Sequence, residues 1–394
     1  MSRFSSEDQI YMRMALKLAR KGRFATSPNP AVGCIIVRDH VIIGSGFHHR
    51  AGEDHAEVMA LKSAGYRVEG ATAYVTLEPC SHYGRTPPCA RSLVKAGIAR
   101  VVMAMTDPNP KVSGKGIAIL KEGKVRVDSG LLADKAYRLN RAFFKSVSGQ
   151  GPYVVVKVAA SLDDKSALRS GESQWITSAK SRQKVQSLRA RSDAIITGVK
   201  TVLQDNPRLN VRYGELSAKI RRNCYLWDKQ PLKVILDSHG KLVGALKDFQ
   251  LFSEGKNLLC VADRSVFERA ALDHGVSLTE GQCLIALNEH VELRCCDPTP
   301  EGRVSLEDVL EELDNRQCRQ VLVEAGAALS SSFLDADLAD EMWLFTGPLL
   351  LGEGSREALM TAAPENLDKA RRFKLKKLQR IGDDILARYA REKN

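Results

Sequence analysis

The amino-acid sequence predicts an α/β protein built from two successive units, and three observations carry that expectation. Residues 32–103 alternate short apolar strands with helical stretches. A segment rich in Ser and Gly, "SVSGQGP" at 146–152, then interrupts the pattern. Beyond it the alternation restarts with "YVVVKVA", a β-branched run of the kind that parallel sheets bury on both faces. The length, 394 residues, also exceeds what one domain usually holds. The expected division is a first domain at 1–146, a linker at 147–152 and a second domain at 153–394.

The N-terminal stretch "MSRFSSEDQIYMRMALKLARKG" carries Glu7 and Asp8, lacks an unbroken apolar run, and is expected to be an amphipathic helix capped by Ser5 or Ser6 rather than a signal peptide. "VGCIIVRDHVIIGSG" (32–46) reads as two strands around a turn at Arg38-Asp39-His40. A helix is expected from about His55 to Ala64, then the strand "ATAYVTL", a helix from about Pro88, and the strand "RVVMAM". After the linker come the strand "YVVVKVA", a helix near 178–190, and strands at "DAIITG", "LKVIL" and "QVLVEAG". The last of these feeds a helix at about 327–335. Residues 262–304 show no clear period and receive no assignment. No internal repeat or low-complexity segment is present.

Hydrophobic residues at 44% and aromatics at 6% suit a water-soluble protein with sizeable cores, and no apolar run is long enough to span a bilayer. A cytoplasmic location is expected. Nine cysteines at irregular spacing, without an export signal, favour metal ligation or inert burial over a disulfide framework. The net charge of +12 fits either nucleic acid or small phosphorylated ligands. Because the basic residues are dispersed, and the densest run, "RRFKLKKLQR" (371–380), reads as solvated surface, charge alone does not argue for nucleic acid.

"HAE" (His55-Ala56-Glu57) opens the second predicted helix, and "TLEPCSHYGRTPPC" (76–89) follows with Cys80 and Cys89. If His55, Cys80 and Cys89 hold one ion, they make an open tetrahedral site, the catalytic zinc arrangement, whereas four protein ligands would make a structural one. Zinc lowers the pKa of a bound water, and Glu57 is placed to move protons from that water to a leaving amine, as hydrolytic deamination requires. His-x-Glu followed by Pro-Cys is the signature of zinc nucleobase deaminases, although there the second cysteine follows closely. Here eight residues intervene, with Cys80 expected near a helix start and Cys89 in the first turn of a new helix after Pro87-Pro88. Two alternatives remain open at this point: Cys89 as a core residue with His82 as third ligand, and His55 as an ordinary core histidine beside a solvated Glu57. A redox dithiol is disfavoured because no Cys-x-x-Cys occurs.

"SPNPAVGCIIV", "GFHHRAGEDHAE" and "TLEPCSHYGRTPPC" together resemble the deaminase half of the bifunctional riboflavin-biosynthesis deaminase/reductases (RibD type). The long spacing between the cysteines matches that family. The resemblance implies a cytidine-deaminase-like α/β/α N-terminal domain with His55, Cys80 and Cys89 as ligands of one Zn2+ and Glu57 as proton shuttle. It also places Asn29 and His48 against the pyrimidine and ribose phosphate. His82 and Arg85, in the loop between the cysteines, are candidates for substrate contact.

In the second half no Gly-x-Gly-x-x-Gly occurs, so a Rossmann site is not indicated. "LVEAGAAL" (322–329) runs from a strand through Gly326 into a helix, where small residues let a phosphate approach the helix N-terminus; tight strand–helix packing explains such a sequence equally well. "VKVAASLDDKSA", "SQWITS", "TVLQDNPRLNVR" and "VEAGAAL" stand in the order found in the reductase half of the same family. The resemblance implies a C-terminal dihydrofolate-reductase-like α/β domain that uses NADPH to reduce a ribosylamine to a ribityl group. It assigns Ala159, Trp175, Thr201, Asp205 and Gly326, Ala327, Ala328, Leu329, Ser330, Ser331, Ser332 to the cofactor. Ser173, Arg189, Leu209, Arg212 and Glu324 are assigned to the substrate, arginine being suited to bidentate phosphate binding. Lys157 and Asp163 lie in a strand and loop that also match.

Two positions depart from the family: Asp164 stands where glycine usually follows "SLD", and Lys200 stands before "TVL" in place of a small residue. Lys200 could reach a 2′-phosphate or face solvent. The implied partners are small phosphorylated pyrimidines, with no nucleic acid and no membrane, and a homo-oligomer, with a dimer favoured, is expected. Two other readings make different predictions. A nucleic-acid deaminase predicts salt-dependent RNA affinity and no NADPH oxidation; a non-catalytic zinc scaffold needs a fourth protein ligand, for which His82 is the only nearby candidate.

Overall fold

The computed structural model of the chain describes residues 4–81, 88–109 and 112–392. It divides into two compact units, Met1–Gly151 with Ala218–Asp228, and Pro152–Ser217 with Lys229–Asn394. The return of 218–228 to the first unit differs from the expected contiguous second domain.

In the first unit, α1 (Ser6–Gly22) starts at an N-cap formed by Ser5, whose hydroxyl accepts from the Asp8 amide while the Asp8 carboxylate accepts from the Ser5 amide. Buried Asp8 also accepts hydrogen bonds from the Tyr74 hydroxyl (2.8 Å) and the Arg100 guanidinium (2.8 Å), so the cap doubles as a tie to the sheet. β1 (Gly33–Arg38) and β2 (Val41–Phe47) form an antiparallel hairpin in which Arg38 faces Val41. The two turn residues, Asp39 (φ 49°) and His40 (φ 61°), have the left-handed conformation of a type I′ turn, which matches the strand twist.

The unit continues with α2 (Ala56–Ser63), β3 (Thr72–Val75), α3 (Cys89–Lys95), β4 (Arg100–Met103), α4 (Lys115–Glu122), β5 (Arg126–Ser129) and α5 (Ala133–Val147). The sheet order is β2-β1-β3-β4-β5, with β3, β4 and β5 parallel. One face packs Met12, Leu16, Ile35, Tyr74 and Val102 under α1 and α5. The other packs Ile36, Leu61, Val75, Leu93 and Leu120 under α2, α3 and α4. Two glycines set the helix–sheet distance. A Cβ on Gly33 would stand 2.2 Å from the Ala15 carbonyl oxygen of α1, and one on Gly46 would stand 2.5 Å from the Ala56 oxygen of α2.

The second unit begins with β6 (Tyr153–Ala160), β7 (Lys165–Ala167), α6 (Ala179–Arg189), β8 (Ala194–Gly198) and α7 (Val199–Asp205). The chain then passes through α8 (Ala218–Asn223), which belongs with the first unit. It continues through β9 (Leu232–Leu236), β10 (Asn257–Val261), α9 (Arg264–Asp273), β11 (Leu284–Ala286), β12 (Val291–Cys295), α10 (Leu306–Asn315), β13 (Gln320–Val323), α11 (Ala327–Asp335), β14 (Glu341–Thr346), β15 (Arg356–Glu357), β16 (Phe373–Ile381) and β17 (Asp384–Arg391). The main sheet runs β11-β12-β10-β9-β8-β13-β6-β14-β17-β16, with β12 through β14 in that order all parallel; β7 and β15 form a separate ribbon.

Residues 262–304, left without assignment from the sequence, contain α9, β11 and β12. The basic run at 371–380 is exposed, as expected, but it is also most of edge strand β16, where lysines discourage pairing with a foreign strand. Lys233 is fully buried and donates to the Leu251 (2.9 Å) and Glu254 (3.0 Å) carbonyls, so its ammonium is solvated by backbone. Among the described residues, no helix is long and apolar enough to cross a membrane.

Gly33→Ala should destabilise the first unit by about 1–3 kcal/mol, because backbone rather than a movable side chain occupies the space. Thermal unfolding followed by circular dichroism checks this, and an unchanged midpoint contradicts it.

Candidate active sites

Three elements converge on the first site. His55 is the N-cap residue of α2, Cys80 lies in the loop after β3, and Cys89 is the first residue of α3 behind the N-cap Pro88. Cys80 is thus in a loop rather than at a helix start. The Cys80 and Cys89 Sγ atoms lie 3.5 and 3.4 Å from His55 Nδ1, and all three ligand atoms fall within 4.8 Å of one another. Tetrahedral zinc with sulfur and nitrogen ligands implies N···S edges of about 3.6 Å, so these donors fit one ion. The Cys89 amide donates to Cys80 Sγ (3.3 Å). The Cys80 thiol is lowered by the hydrogen bond from the Cys89 side chain and by His55, which favours the thiolate that a metal needs.

Glu57, in the first turn of α2, is buried, and burial pushes its carboxyl up to about 7 despite neighbouring His55. A carboxyl poised near neutral pH is suited to exchanging protons. Asn29 and His48 lie beside the cluster. Asn29 Nδ2 is 3.1 Å from His48 Nε2, and His48 Nδ1 is 3.0 Å from the Asp54 carbonyl. A carbonyl only accepts, so Nδ1 carries the proton and Nε2 accepts from Asn29. Burial lowers His48 to about 4, so its ring is neutral at pH 7. It meets His55 edge-on at 5.1 Å between ring centroids. His82 and Arg85 lie outside the described residues.

Glu78 is a residue that sequence reasoning missed. Its buried carboxylate accepts from four backbone amides: Asp107 (3.1 Å) and Gly114 (3.1 Å) on Oε2, Gly116 (2.9 Å) and Ile117 (3.2 Å) on Oε1. It therefore sits at the positive end of α4 and fixes the loop that delivers Cys80 two residues later. A Cβ on Gly116 would stand 2.0 Å from the Pro79 oxygen, which makes the approach specific to glycine. The signal was present: an acid just before Pro-Cys, and a second Gly-containing segment, "SGKGI", without a role.

In the second unit, three adjacent strands, β8, β13 and β6, present the expected cofactor residues at their carboxyl ends, where open α/β sheets bind ligands. Ala159 lies near the end of β6, Thr201 in the first turn of α7, and Gly326 at the N-cap of α11 after β13. The space in front of Gly326 is open; a Cβ there would meet only Thr201 Oγ1, at 3.9 Å. A nicotinamide cofactor's phosphates fit such a place beside the first-turn amides of Ala327, Ala328 and Leu329. Deeper in α11, Ser330 and Ser331 are buried, and the Ser331 hydroxyl accepts from the Met360 amide (2.6 Å), while the Ser332 hydroxyl donates to the Ala328 carbonyl (3.0 Å). Asp205 ends α7 on the surface. Trp175 is exposed, with the Arg182 guanidinium 4.0 Å from its ring centre.

The expected substrate residues Arg189 and Glu324 are brought together. Arg189 donates from Nε (2.9 Å) and Nη2 (2.8 Å) to Glu324, and from Nη1 (3.1 Å) to the Asn210 carbonyl. Burial alone would raise the Glu324 carboxyl, but Arg189 and Lys157, whose Nζ is 3.9 Å away, hold it down to about 2. Leu209, beside Asn210, is buried with φ 51°, a conformation uncommon for leucine. Arg212 is exposed and paired with Glu215, and Ser173 is half-buried. Lys200 is exposed. Asp163 accepts from the Gly352 amide (2.7 Å), and Asp164 has φ 58°, the left-handed conformation that explains why glycine is usual there.

Comparison with known proteins adds to this geometry. Residues 5–105 match the family model for the cytidine and deoxycytidylate deaminase zinc-binding region, and residues 152–387 match that for the RibD C-terminal domain. The riboflavin biosynthesis protein RibD of Escherichia coli (strain K12) is 41% identical over 380 residues, 96% of this chain and 98% of that protein. The chain belongs to the RibD family. It is a bifunctional deaminase/reductase of riboflavin biosynthesis, with a cytidine-deaminase-like first domain and a RibD-type reductase second domain. The solved structure of Acinetobacter baumannii RibD, form 1, superposes with a TM-score of 0.82 at 41% identity, over 98% of this chain and 99% of that one. A Thermotoga maritima structure, titled a diaminohydroxyphosphoribosylaminopyrimidine deaminase/5-amino-6-(5-phosphoribosylamino)uracil reductase, gives 0.82 at 32% identity over 98% and 99%.

Two outcomes are expected from these geometries. Glu78→Ala leaves four backbone donors without their acceptor and should cost about 2–4 kcal/mol in thermal unfolding, whereas an isolated surface carboxylate would cost nothing measurable. The Glu324 carboxyl is held below its ordinary value, so its stabilisation is complete above about pH 4.5 and is lost as pH falls towards 2. Glu324→Gln should cost about 3 kcal/mol at neutral pH and flatten the stability profile between pH 5 and 2, as urea unfolding across that range reads out.

Proposed function

We propose that the first unit deaminates 2,5-diamino-6-ribosylamino-4(3H)-pyrimidinone 5′-phosphate and that the second reduces the ribosyl group of the resulting aminouracil with NADPH. The observation that carries this reading is the donor triangle of His55, Cys80 and Cys89 with buried Glu57 beside it. These three residues would hold one Zn2+, which when bound would supply the Lewis acidity that makes a water nucleophilic near neutral pH. Glu57 takes the proton from the attacking water and returns it to the departing amine, and its raised carboxyl lets it work in both directions near neutral pH. Asn29 and neutral His48 form a polar wall that orients the pyrimidine. His82, between the two cysteines in sequence, is assigned to the same substrate on the resemblance alone.

In the second unit, Ala159, Trp175, Thr201, Asp205 and residues 326–332 would hold NADPH, which when bound would supply the hydride for reduction of the ribosyl group. Ser173, Leu209 and Arg212 face the sugar phosphate. Arg189 and Glu324 lock one another in place, so the guanidinium is held in a fixed orientation, with its Nε and both terminal nitrogens each already donating one hydrogen bond to protein. The phosphorylated substrates account for the positive net charge without nucleic acid. A cytoplasmic dimer belongs to the same reading.

The test is to supply the diaminopyrimidinone ribosyl phosphate with and without NADPH. Ammonia release without NADPH, followed by NADPH-dependent absorbance loss, is the expected result; ammonia with no NADPH oxidation would remove the reductase half of the proposal. Glu57→Gln should lower ammonia release by about 10²–10⁴-fold with zinc retained and with reduction of separately supplied aminouracil unchanged. Undiminished ammonia release would sink the role given to Glu57.

A further inference from the structure

The loop His48–His55, between β2 and α2, has an inner and an outer side. Inside, His48 meets Asn29 and His55. Outside, the next two residues point away from the site and meet a segment distant in sequence. The His49 ring stacks on Tyr225, with centroids 4.9 Å apart and planes 13° from parallel, and the Arg50 guanidinium lies 4.9 Å from the centre of the Trp227 ring. The Tyr225 amide also donates to the Lys21 carbonyl (2.8 Å) at the end of α1. One residue on, Gly22 approaches so closely that a Cβ would stand 2.3 Å from the His48 carbonyl oxygen. Residues 218–228 therefore hold both backbone segments that flank His48: the end of α1 through a hydrogen bond, and the loop through two aromatic contacts.

We infer that Tyr225 and Trp227, though they lie in sequence amid the reductase half, are positioning residues of the deaminase site, acting through His49 and Arg50 on His48. Neither aromatic touches the donor triangle. Their effect is on the placement of the His48 ring and of the Asp54 carbonyl that fixes its tautomer. Arg50 also pairs within the loop, with Glu53 (2.6 Å), while His49 lies 3.7 Å from Glu53 and packs on the Phe47 ring at the end of β2 (centroids 4.4 Å apart); Gly52, at φ 89°, has the left-handed conformation that glycine adopts without strain. Rigid aromatic faces supply further restraint at small entropic cost, each contact contributing of the order of a three- to tenfold bias towards the ordered loop. A substrate that uses His48 would experience this as tighter binding, not as a faster chemical step.

The inference rests on the deaminase reading above, and the experiment separates the two. In the full-length protein, Tyr225→Ala/Trp227→Ala should raise the deaminase KM about five- to twentyfold with kcat changed less than about twofold, leave zinc at one per chain, and leave reduction of supplied aminouracil unaltered. Tyr225→Phe, which keeps the stacked face, should restore most of the loss when paired with native Trp227. Independently of activity, amide hydrogen exchange across residues 48–54 should accelerate about tenfold in the double variant while β1 and α2 keep their protection. Unchanged exchange and unchanged KM would overturn the inference, as would a loss of zinc or of both activities together, which would mark a general folding defect. A native enzyme that releases no ammonia would instead defeat the deaminase reading, with the exchange result still deciding whether the segment restrains the loop.

Discussion

A buried carboxylate with four amide donors is the constraint on which the first site depends. Glu78 cannot be dehydrated alone, and the amides of Asp107, Gly114, Gly116 and Ile117 replace its water. That requirement draws the loop after β3 against the N-terminus of α4 and leaves Cys80 no freedom to drift. The opposite side of the triangle is set by two helix starts, α2 at His55 and α3 at Cys89. Three backbone terminations thus deliver three ligand atoms. None relies on proximity in sequence between the cysteines, which is why eight residues can separate Cys80 from Cys89 at no cost to the geometry.

The second unit solves a different problem. Glu324 is ionised at neutral pH although it is largely shielded from water. The bidentate pair with Arg189 neutralises that carboxylate and orients the guanidinium, and the parallel strands β8, β13 and β6 carry the neighbouring groups at the same end of the sheet. Such a pair is costly to desolvate and gains its stability from mutual saturation; its value lies in fixing positions more than in net stabilisation.

Much of this was legible in the sequence because local physics and chemistry coincided there. The turn at Asp39-His40, the Ser5 cap, the helix starting at Cys89 and the buried β-branched strands β6, β8, β9 and β13 each carry their own short-range signal. The His55, Cys80 and Glu57 set was visible because few chemistries use those residue types together. What escaped was long-range or short. β11 spans three residues, Leu284–Ala286, too few for alternation to register, and α9 is preceded by a cap, Asp263, in a stretch where no stripe stands out. Glu78 escaped because its partners are backbone amides some thirty to forty positions away, which no side-chain pattern announces. Arg189 was legible as a useful cation but not as one already engaged by Glu324.

The discontinuity of the first unit also bears on the order in which the chain can become native. A nascent chain emerging from the ribosome exposes α1, the hairpin and the five-stranded sheet well before Ala218–Asp228 exists. The early body can collapse around its own core, yet the outer side of the His48 loop remains uncovered until part of the second unit has been synthesised. Separating the halves at the Gly-rich junction, by proteolysis or by gene fission, would accordingly yield a first fragment with its sheet intact and one wall unfinished. Fusion of the two activities in one polypeptide is then a matter of shared architecture as well as of shared expression.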